Sequence, residues 1–382
     1  MKWIKVVIIP ILVITSLSAC VRLEDPDYCR QWYLNNTGNN QYVAESSDYQ
    51  SFIPMTKGVD ISWELMCDEL PAHTSPVLVA VIDDGVDYTH ADLSNAMWIN
   101  AEEIPADGID NDKNGYIDDV YGYDFYGNKG FGNNSGKEII KSNHGTLCAG
   151  IIAAGKNAYG ICGVASHVDV RIMAIKVMEN HEGVYIGDSA NLVKAIAYAE
   201  AMGADICNLS LNYYEYDSEV EKAIQNSSML FVASAGNGTG RGIDIDCKAS
   251  YPAYHDTDNL LVVANMDYSG ELSLSSNYGK TSVDIAAPGE CIYTTFTNNR
   301  YIFASGTSMS ATIVSGVCSR RSLSVSFSSF CSTSKSRLQY SSPFAAKAFS
   351  LVAPSGIAST HFRRACAQQP ARVALLNALY PL

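Results

Sequence analysis

The chain has 382 residues, 47% of them apolar and 17% charged: enough hydrophobic material for a folded core and too much for an intrinsically disordered protein. With 26 basic residues against 40 acidic ones the formal charge is −14, which argues against a nucleic-acid partner because phosphates would be repelled. The charge is unevenly spread: all 40 acidic residues precede Cys318, whereas the last 65 residues carry eight basic residues, no acidic one and 14 serines.

Residues 1–19 read as a targeting segment. Lys2 and Lys5 precede the apolar run Val6–Thr15, which is too short and wrongly flanked for a membrane span. Leu17-Ser18-Ala19-Cys20 follows and looks like a bacterial lipobox, in which cleavage before Cys20 leaves a thiol that carries a diacylglycerol. The expected mature chain is exported and held on a bacterial membrane or cell surface through Cys20. An ordinary secretory signal with a chance cysteine is the alternative, and it leads to the same side of the membrane. Export permits disulfides. Cys29 and Cys67 flank one N-terminal segment and are placed to pair, whereas Cys148, Cys162 and Cys207 lie in apolar or small-residue runs and read as buried thiols. No Cys-x-x-Cys pair marks a zinc site.

After an N-terminal segment over 20–76, strand and helix signals alternate through 77–317. Val77–Ile82 is a strand ending at Asp83, and His144–Ile152 is a run of small and apolar residues that suits a buried helix. Val170–Val177 is a strand; Ser189–Met202 is a helix, with Leu192, Ile196 and Ala199 at helical spacing and a stop at Gly203. Asp205–Leu211, Met229–Ala233 and Leu260–Ala264 are strands, Glu219–Gln225 is a short helix, and Ser308 opens a last helix. This alternation predicts an α/β fold, with a mostly parallel central sheet and helices on both faces. Ligands in such sheets bind at the carboxyl ends of strands, where Asp83 and Asn237 both fall.

Three stretches carry reactive side chains among glycines and small residues: Val79–Gly85 with Asp83, His144–Gly150 with His144, and Gly306–Ser310 with Ser308. A serine hydroxyl is a poor nucleophile without a neighbouring base, and imidazole titrates near neutrality. A carboxylate fixes the imidazole's tautomer and balances its charge. Asp83, His144 and Ser308 are therefore the candidate catalytic set. Singly, an Asp after a strand reads as a turn or a cap, and a Ser at a helix start as an N-cap. Jointly, Gly145 and Gly306 are explained as well, since they leave room for substrate backbone.

The order Asp, His, Ser is that of the subtilisins, and from about Trp32 to Val317 the chain resembles a subtilisin-like serine protease of the subtilase family. The resemblance implies the subtilisin-like three-layer fold and hydrolysis of peptide bonds in a peptide or protein substrate through an acyl-enzyme, by a chain acting as a monomer. It implies that Asn237, in Ser234-Ala235-Gly236-Asn237, donates to the oxyanion, with the Ser308 backbone N–H as second donor. It also implies that substrate lies extended between Asn208-Leu209-Ser210-Leu211 and Ala233-Ser234-Ala235-Gly236. The family usually has Gly where this chain has Asn212, so a side chain there narrows the expected cleft. Gln31–Gly38 resembles a segment often found just ahead of subtilase domains, and the short distance from Cys20 leaves no room for a folding prodomain between them.

Asp110-Asn111-Asp112-Lys113-Asn114-Gly115-Tyr116-Ile117-Asp118 reads like the first nine positions of an EF-hand loop. It predicts a structural Ca²⁺ held by Asp110, Asp112, Asn114, the Tyr116 carbonyl and Asp118. Position 12 is Tyr121 instead of the bidentate Glu, so one ligand is missing unless Asp119 or another residue replaces it. An acidic turn that binds nothing is the alternative.

Two features depart from the family. The residue four after Ser308 is Thr312 where subtilases have Pro, which restores an N–H and predicts unchanged or reduced activity. From Cys318 the apolar helix expected of the family gives way to the Ser-rich basic tail 318–382, in which only Ala371–Leu379 has the makings of a short helix. The tail reads as a shifted frame or other unrelated coding sequence, or else as a natural flexible extension. The sequence therefore supports an extracytoplasmic, lipid-anchored serine endopeptidase, and against it a truncated, inactive or unstable surface lipoprotein that keeps the residues without their geometry.

Overall fold

The computed structural model describes residues 25–39, 41, 54–69, 75–132 and 143–320; Cys20 and the tail beyond 320 lie outside them. In chain order the elements are α1 (Trp63–Glu69), β1 (Val77–Asp83), β2 (Gly122–Asp124), β3 (Lys129–Gly130), α2 (His144–Ala153), β4 (Val170–Lys176), β5 (Met178–His181) and β6 (Val184–Gly187). There follow α3 (Ser189–Ala201), β7 (Ile206–Leu209), α4 (Ser218–Asn226), β8 (Leu230–Ser234), β9 (Leu260–Met266), β10 (Ile285–Pro288), β11 (Ile292–Phe296), β12 (Arg300–Ala304) and α5 (Thr307–Cys318).

Eight strands form one sheet in the order β10-β9-β8-β7-β1-β4-β2-β3. Every neighbouring pair in it is parallel except β2 with β3. The central strand β1 is buried along its whole length, and its side chains alternate between two cores. Val77, Val79 and Val81 pack with α2 and α5 on one face; Leu78, Ala80 and Ile82 pack with α3 and α4 on the other. A strand covered on both faces has no polar side to show, which is why this segment reads as a continuous apolar run. The result is the three-layer α/β arrangement expected from the alternation of elements.

Helix α2 is apolar all round because it is enclosed on all sides. The sheet lies against one side of it, and the hairpin β11–β12 closes the other: Thr294 Oγ1 and Thr295 Oγ1 donate to the carbonyls of Leu147 and Thr146 at 2.9 and 2.7 Å. A Cβ at Gly150 would sit 2.0 Å from Thr295 Oγ1, so only glycine lets the hairpin approach this closely.

Two differences from the sequence reading bear on the site. The strand expected over Asp205–Leu211 ends at Leu209, so that Ser210 and Leu211 leave the sheet. The hairpins β5–β6 and β11–β12 were not anticipated; the first closes through the two-residue turn Glu182-Gly183, with positive φ at both positions, and the second through the three residues Thr297-Asn298-Asn299, the last two with positive φ. Cys148, Cys162 and Cys207 are buried as expected. Cys29 and Cys67 do not pair: Cys29 Sγ lies beside the Pro26 carbonyl, while Cys67 Sγ receives Arg320 Nη1 at 3.4 Å.

Candidate active site

Asp83 is the last residue of β1, fully buried, and His144 is the first residue of α2. Their side chains meet: His144 Nδ1 lies 2.9 and 2.8 Å from the two Asp83 carboxylate oxygens. In the neutral ring a carboxylate at this distance holds the proton on Nδ1 and leaves Nε2 as an acceptor. The neighbouring Asp84 fixes the start of the helix, accepting the Gly145 N–H at 2.8 Å and the His144 N–H at 3.2 Å. It does from a distance what an N-cap side chain does locally, since Asn143 makes no such bond. Gly145 allows the close approach, because a Cβ there would lie 2.1 Å from the Gly85 carbonyl oxygen.

These charges set the basicity of the imidazole. Burial lowers the His144 pKa, but the charge of Asp83, its hydrogen bond and the charge of Asp84 outweigh it and bring it up to about 9. Asp84 is pushed well above the usual carboxylate range, by burial first and by the charge of Asp83 second. Cys148, one turn along α2, has its Sγ 3.8 Å from Asp83 Oδ2, and burial pushes its thiol well above the ordinary range.

Ser308 stands in the first turn of α5, behind Gly306 at φ 139°. Its Oγ donates to the Ser210 carbonyl at 3.3 Å rather than to His144. Its backbone N–H belongs to a first helical turn and has no acceptor within the helix. Asn237 is held by that same turn: its Oδ1 accepts the Thr307 N–H at 3.0 Å and the Thr307 hydroxyl at 3.2 Å. With the oxygen committed to Thr307, the amide Nδ2 is left to donate elsewhere; it lies beside Gly306, 3.3 Å from where a Cβ there would stand, with Oδ1 at 3.4 Å. Thr312, in place of the family's Pro, turns its hydroxyl back to the Ser308 carbonyl at 2.7 Å, a bond within its own helix.

His144, Ser308 and Asn237 open onto one cleft of about 640 Å³, with Ser210, Leu211 and Asn212 as one wall. The structure thus brings an imidazole backed by a buried carboxylate, a hydroxyl and a free amide N–H to one crevice at the carboxyl ends of β1 and β8.

Residues 74–321 match the subtilase family. The chain belongs to that family. It is 35% identical over 262 residues to Subtilisin-like protease 1 of Plasmodium falciparum (isolate 3D7), covering 63% of this chain and 36% of that protein. It is 33% identical over 297 residues to the thermophilic serine proteinase of Bacillus sp. (strain AK1), covering 76% of this chain and 62% of the other. Thermitase of Thermoactinomyces vulgaris is 32% identical over 250 residues, covering 64% of this chain and 75% of that one. Among solved structures, a cold adapted subtilisin-like serine proteinase aligns with 25% identity and a TM-score of 0.46, over 64% of this chain and 74% of that chain. The chain spans 36–42% of the length of the Plasmodium relatives it matches.

In this subtilase the walls of the cleft are shorter than expected. Ser210 and Leu211 line it, but Asn208 and Leu209 lie inside β7 with no exposed surface. The Asn208 amide serves the interior, donating to Ser210 Oγ at 3.0 Å and accepting Ser315 Oγ at 2.9 Å. On the facing side Ala233, Ser234 and Ala235 are fully buried at the end of β8, and Gly236 is buried beside them. The cleft also draws on Tyr185 and Gly187 of the unanticipated hairpin, and the Tyr185 ring stands 5.8 Å from the His144 ring.

The acidic loop differs from an EF-hand in which groups converge. Of the expected ligands, Asp112 gathers with Glu103 and Asp119, each offering an oxygen within 4.8 Å of the others. Asn114 is drawn in by its amide, which donates to Asp112 and Asp119 at 2.9 Å each. Asp110 instead accepts the Asn114 and Gly115 N–H groups, and Asp118 is buried and turned toward the N–H groups of Asp107 and Gly108. The Tyr116 ring packs among Tyr123, Phe125 and Tyr198. Glu103 stands outside the linear loop pattern, and it is Asp119 rather than Asp118 that joins the cluster. Burial pushes the Asp119 carboxyl above its usual range. An all-oxygen set of three crowded carboxylates, two of them buried, fits a hard divalent cation such as Ca²⁺.

If Asp83 sets the basicity of the imidazole, Asp83→Asn removes the main raising cause and leaves the burial that lowers it. The His144 titration midpoint, followed by NMR of the ring, should fall from about 9 to the ordinary 6.5 or below. An unmoved midpoint would show that Asp83 does not carry the effect.

Proposed function

We propose that this subtilase is a serine endopeptidase that cuts peptide bonds through an acyl-enzyme. The observation that carries the reading is the buried Asp83–His144 pair opening onto the same cleft as Ser308 and Asn237. Neutral His144, with its proton on Nδ1 toward Asp83, takes the Ser308 proton on Nε2 as Oγ attacks the carbonyl carbon. For this the hydroxyl rotates away from Ser210, a movement that occupancy of the cleft would drive. The oxygen of the tetrahedral intermediate accepts from Asn237 Nδ2 and the Ser308 N–H. His144 then gives its proton to the leaving amine, the acyl group stays on Ser308, and water repeats the cycle to release it.

A Ca²⁺ ion is proposed as a structural cofactor held by Glu103, Asp112 and Asp119. When bound it would neutralise three carboxylates and tie the loop to β2, α3 and the residues around Asn100. The enzyme is further proposed to be exported and anchored on a membrane by a lipid on Cys20, acting as a monomer; this rests on the residues around Leu17–Cys20. No described helix is long and apolar enough to cross a membrane.

A fluorophosphonate probe should label the calcium-supplied chain and leave Ser308→Ala unlabelled. A folded wild-type chain that resists the probe refutes the hydrolase reading. Asn237→Ala should lower kcat about 10²- to 10³-fold, the magnitude seen for the corresponding asparagine of a subtilisin rather than one obtained from this structure.

The pH dependence follows from the raised His144 pKa. Protonated imidazole cannot accept from Ser308, so kcat/KM should climb with pH through the free-enzyme midpoint and level off on the alkaline side of about 9. A profile already flat above pH 7 would contradict the elevated basicity.

Removing the cation should cost stability. EDTA should lower the thermal midpoint by about 5 °C, and Ca²⁺ but not an equal ionic strength of NaCl should restore it. Asp112→Asn with Asp119→Asn should abolish the response; a response that survives in this double variant places the ion elsewhere.

A further inference from the structure

The Asn212 side chain stands in the cleft that Ser308 and Asn237 share. Asn212 follows Ser210 and Leu211 on one wall, and its amide reaches the other. Nδ2 lies 3.4 Å from the Ser234 carbonyl and 3.3 Å from Ser250 Oγ, and Ser234 Oγ lies 3.5 Å from Oδ1. It stands only 3.0 Å from the place a Cβ on Gly236 would take, so it rests directly against the facing backbone. Behind it the two walls are stitched together: Tyr213 and Tyr251 exchange both backbone hydrogen bonds at 2.8 Å, and their rings stack 5.8 Å apart. The wall that carries Asn212 is therefore held in place and cannot readily swing outward.

This position matters because of what must enter. A carbonyl attacked by Ser308, with its oxygen on Asn237 Nδ2, carries its own side chain one bond away. Beside Ser308 and Asn237 the cleft is walled by Ser210–Asn212, and only a narrow gap separates Asn212's backbone from the buried Ser234–Gly236 segment. Asn212 spans this gap. Its polar contacts are long and individually weak, so its effect is mainly steric: it fills volume that a large side chain needs.

We propose that Asn212 is a specificity-determining residue that limits the side chain accepted before the scissile bond to small ones, such as those of Gly, Ala and Ser. The inference rests on the hydrolase reading above. A Phe or Leu side chain has to displace the amide and leave the Ser234 carbonyl and Ser250 hydroxyl without it, whereas a methyl or hydroxymethyl group fits beside it.

The test compares full-length wild type with Asn212→Gly on tetrapeptide p-nitroanilides that differ only in the last residue, Ala or Phe. Wild type should favour Ala. In Asn212→Gly the ratio of kcat/KM for Phe over Ala should rise about tenfold or more. Should the glycine variant fail to fold, Asn212→Ser shortens the side chain without freeing the backbone and should move the ratio in the same direction. A merely structural tie would change both substrates in parallel, so an unmoved ratio overturns the proposal, as does a wild type that cuts after Phe as well as after Ala. Fluorophosphonate labelling is run alongside. A labelled Ser308 with an unmoved ratio removes the size limit alone; absence of both labelling and hydrolysis removes the hydrolase reading and the size limit with it.

Discussion

A carboxylate with no exposed surface, at the end of a strand buried on both faces, has one partner of opposite charge in reach among the described residues: the imidazole of His144. Such a charge is costly to bury and is tolerated because it is paired and hydrogen-bonded. Much of the architecture can be read as the means of holding that pair. β1 is fixed by parallel neighbours on both edges, β4 and β7, and by side chains packed into both cores. The first turn of α2 is then docked onto its end by Asp84, which occupies two helix N–H groups that otherwise have no acceptor.

The second half of the site depends on the same packing. α2 and α5 lie on one face of the sheet and share one core, and both begin at the cleft. Gly316 lets α5 sit tightly, since a Cβ there would meet Val164 at 2.7 Å. His144 and Ser308 thus sit at the N-terminal ends of two helices whose relative position is set by apolar contacts well away from the chemistry. Asn237 is tied to the start of α5 through Thr307, so the amide and the hydroxyl would move together if the helix shifted.

Where a residue's position is fixed by the backbone, the sequence was legible. Asp83, His144, Ser308 and Asn237 each stand beside glycine or small residues at a strand or helix end, and long periodic or fully apolar segments marked those ends. What escaped were features made by contacts across the chain. Glu103 joins Asp112 and Asp119 through folding of a loop whose linear pattern pointed to Asp110 and Asp118 instead. The hairpin β5–β6 is short, with polar Glu179, Asn180 and His181 on one strand and exposed Val184, Tyr185 and Ile186 on the other, and only its Glu182-Gly183 turn marked it. Asn208 was expected in the cleft wall because the subtilase resemblance assigns the whole segment Asn208–Leu211 to it, but Asn208 lies within β7 with its amide turned to Ser210 Oγ and Ser315 Oγ in the interior.

The same dry corner that holds the pair also sets a conflict. Asp83 and Asp84 stand beside His144 and can carry negative charge, whereas burial keeps the nearby Cys148 thiol protonated. Two carboxylates beside one imidazole stabilise the imidazolium that forms when Ser308 gives up its proton, which favours the transition state of the proposed reaction. They stabilise the imidazolium of the resting enzyme equally, and so withdraw the base below its raised pKa. Burial of Asp84 moderates this, because it favours the protonated carboxyl, while the helix N–H groups it accepts favour the ionised one. Asp84 thus serves two ends that pull against each other: ionised, it anchors α2 more firmly; neutral, it frees His144 to act as a base nearer to neutrality.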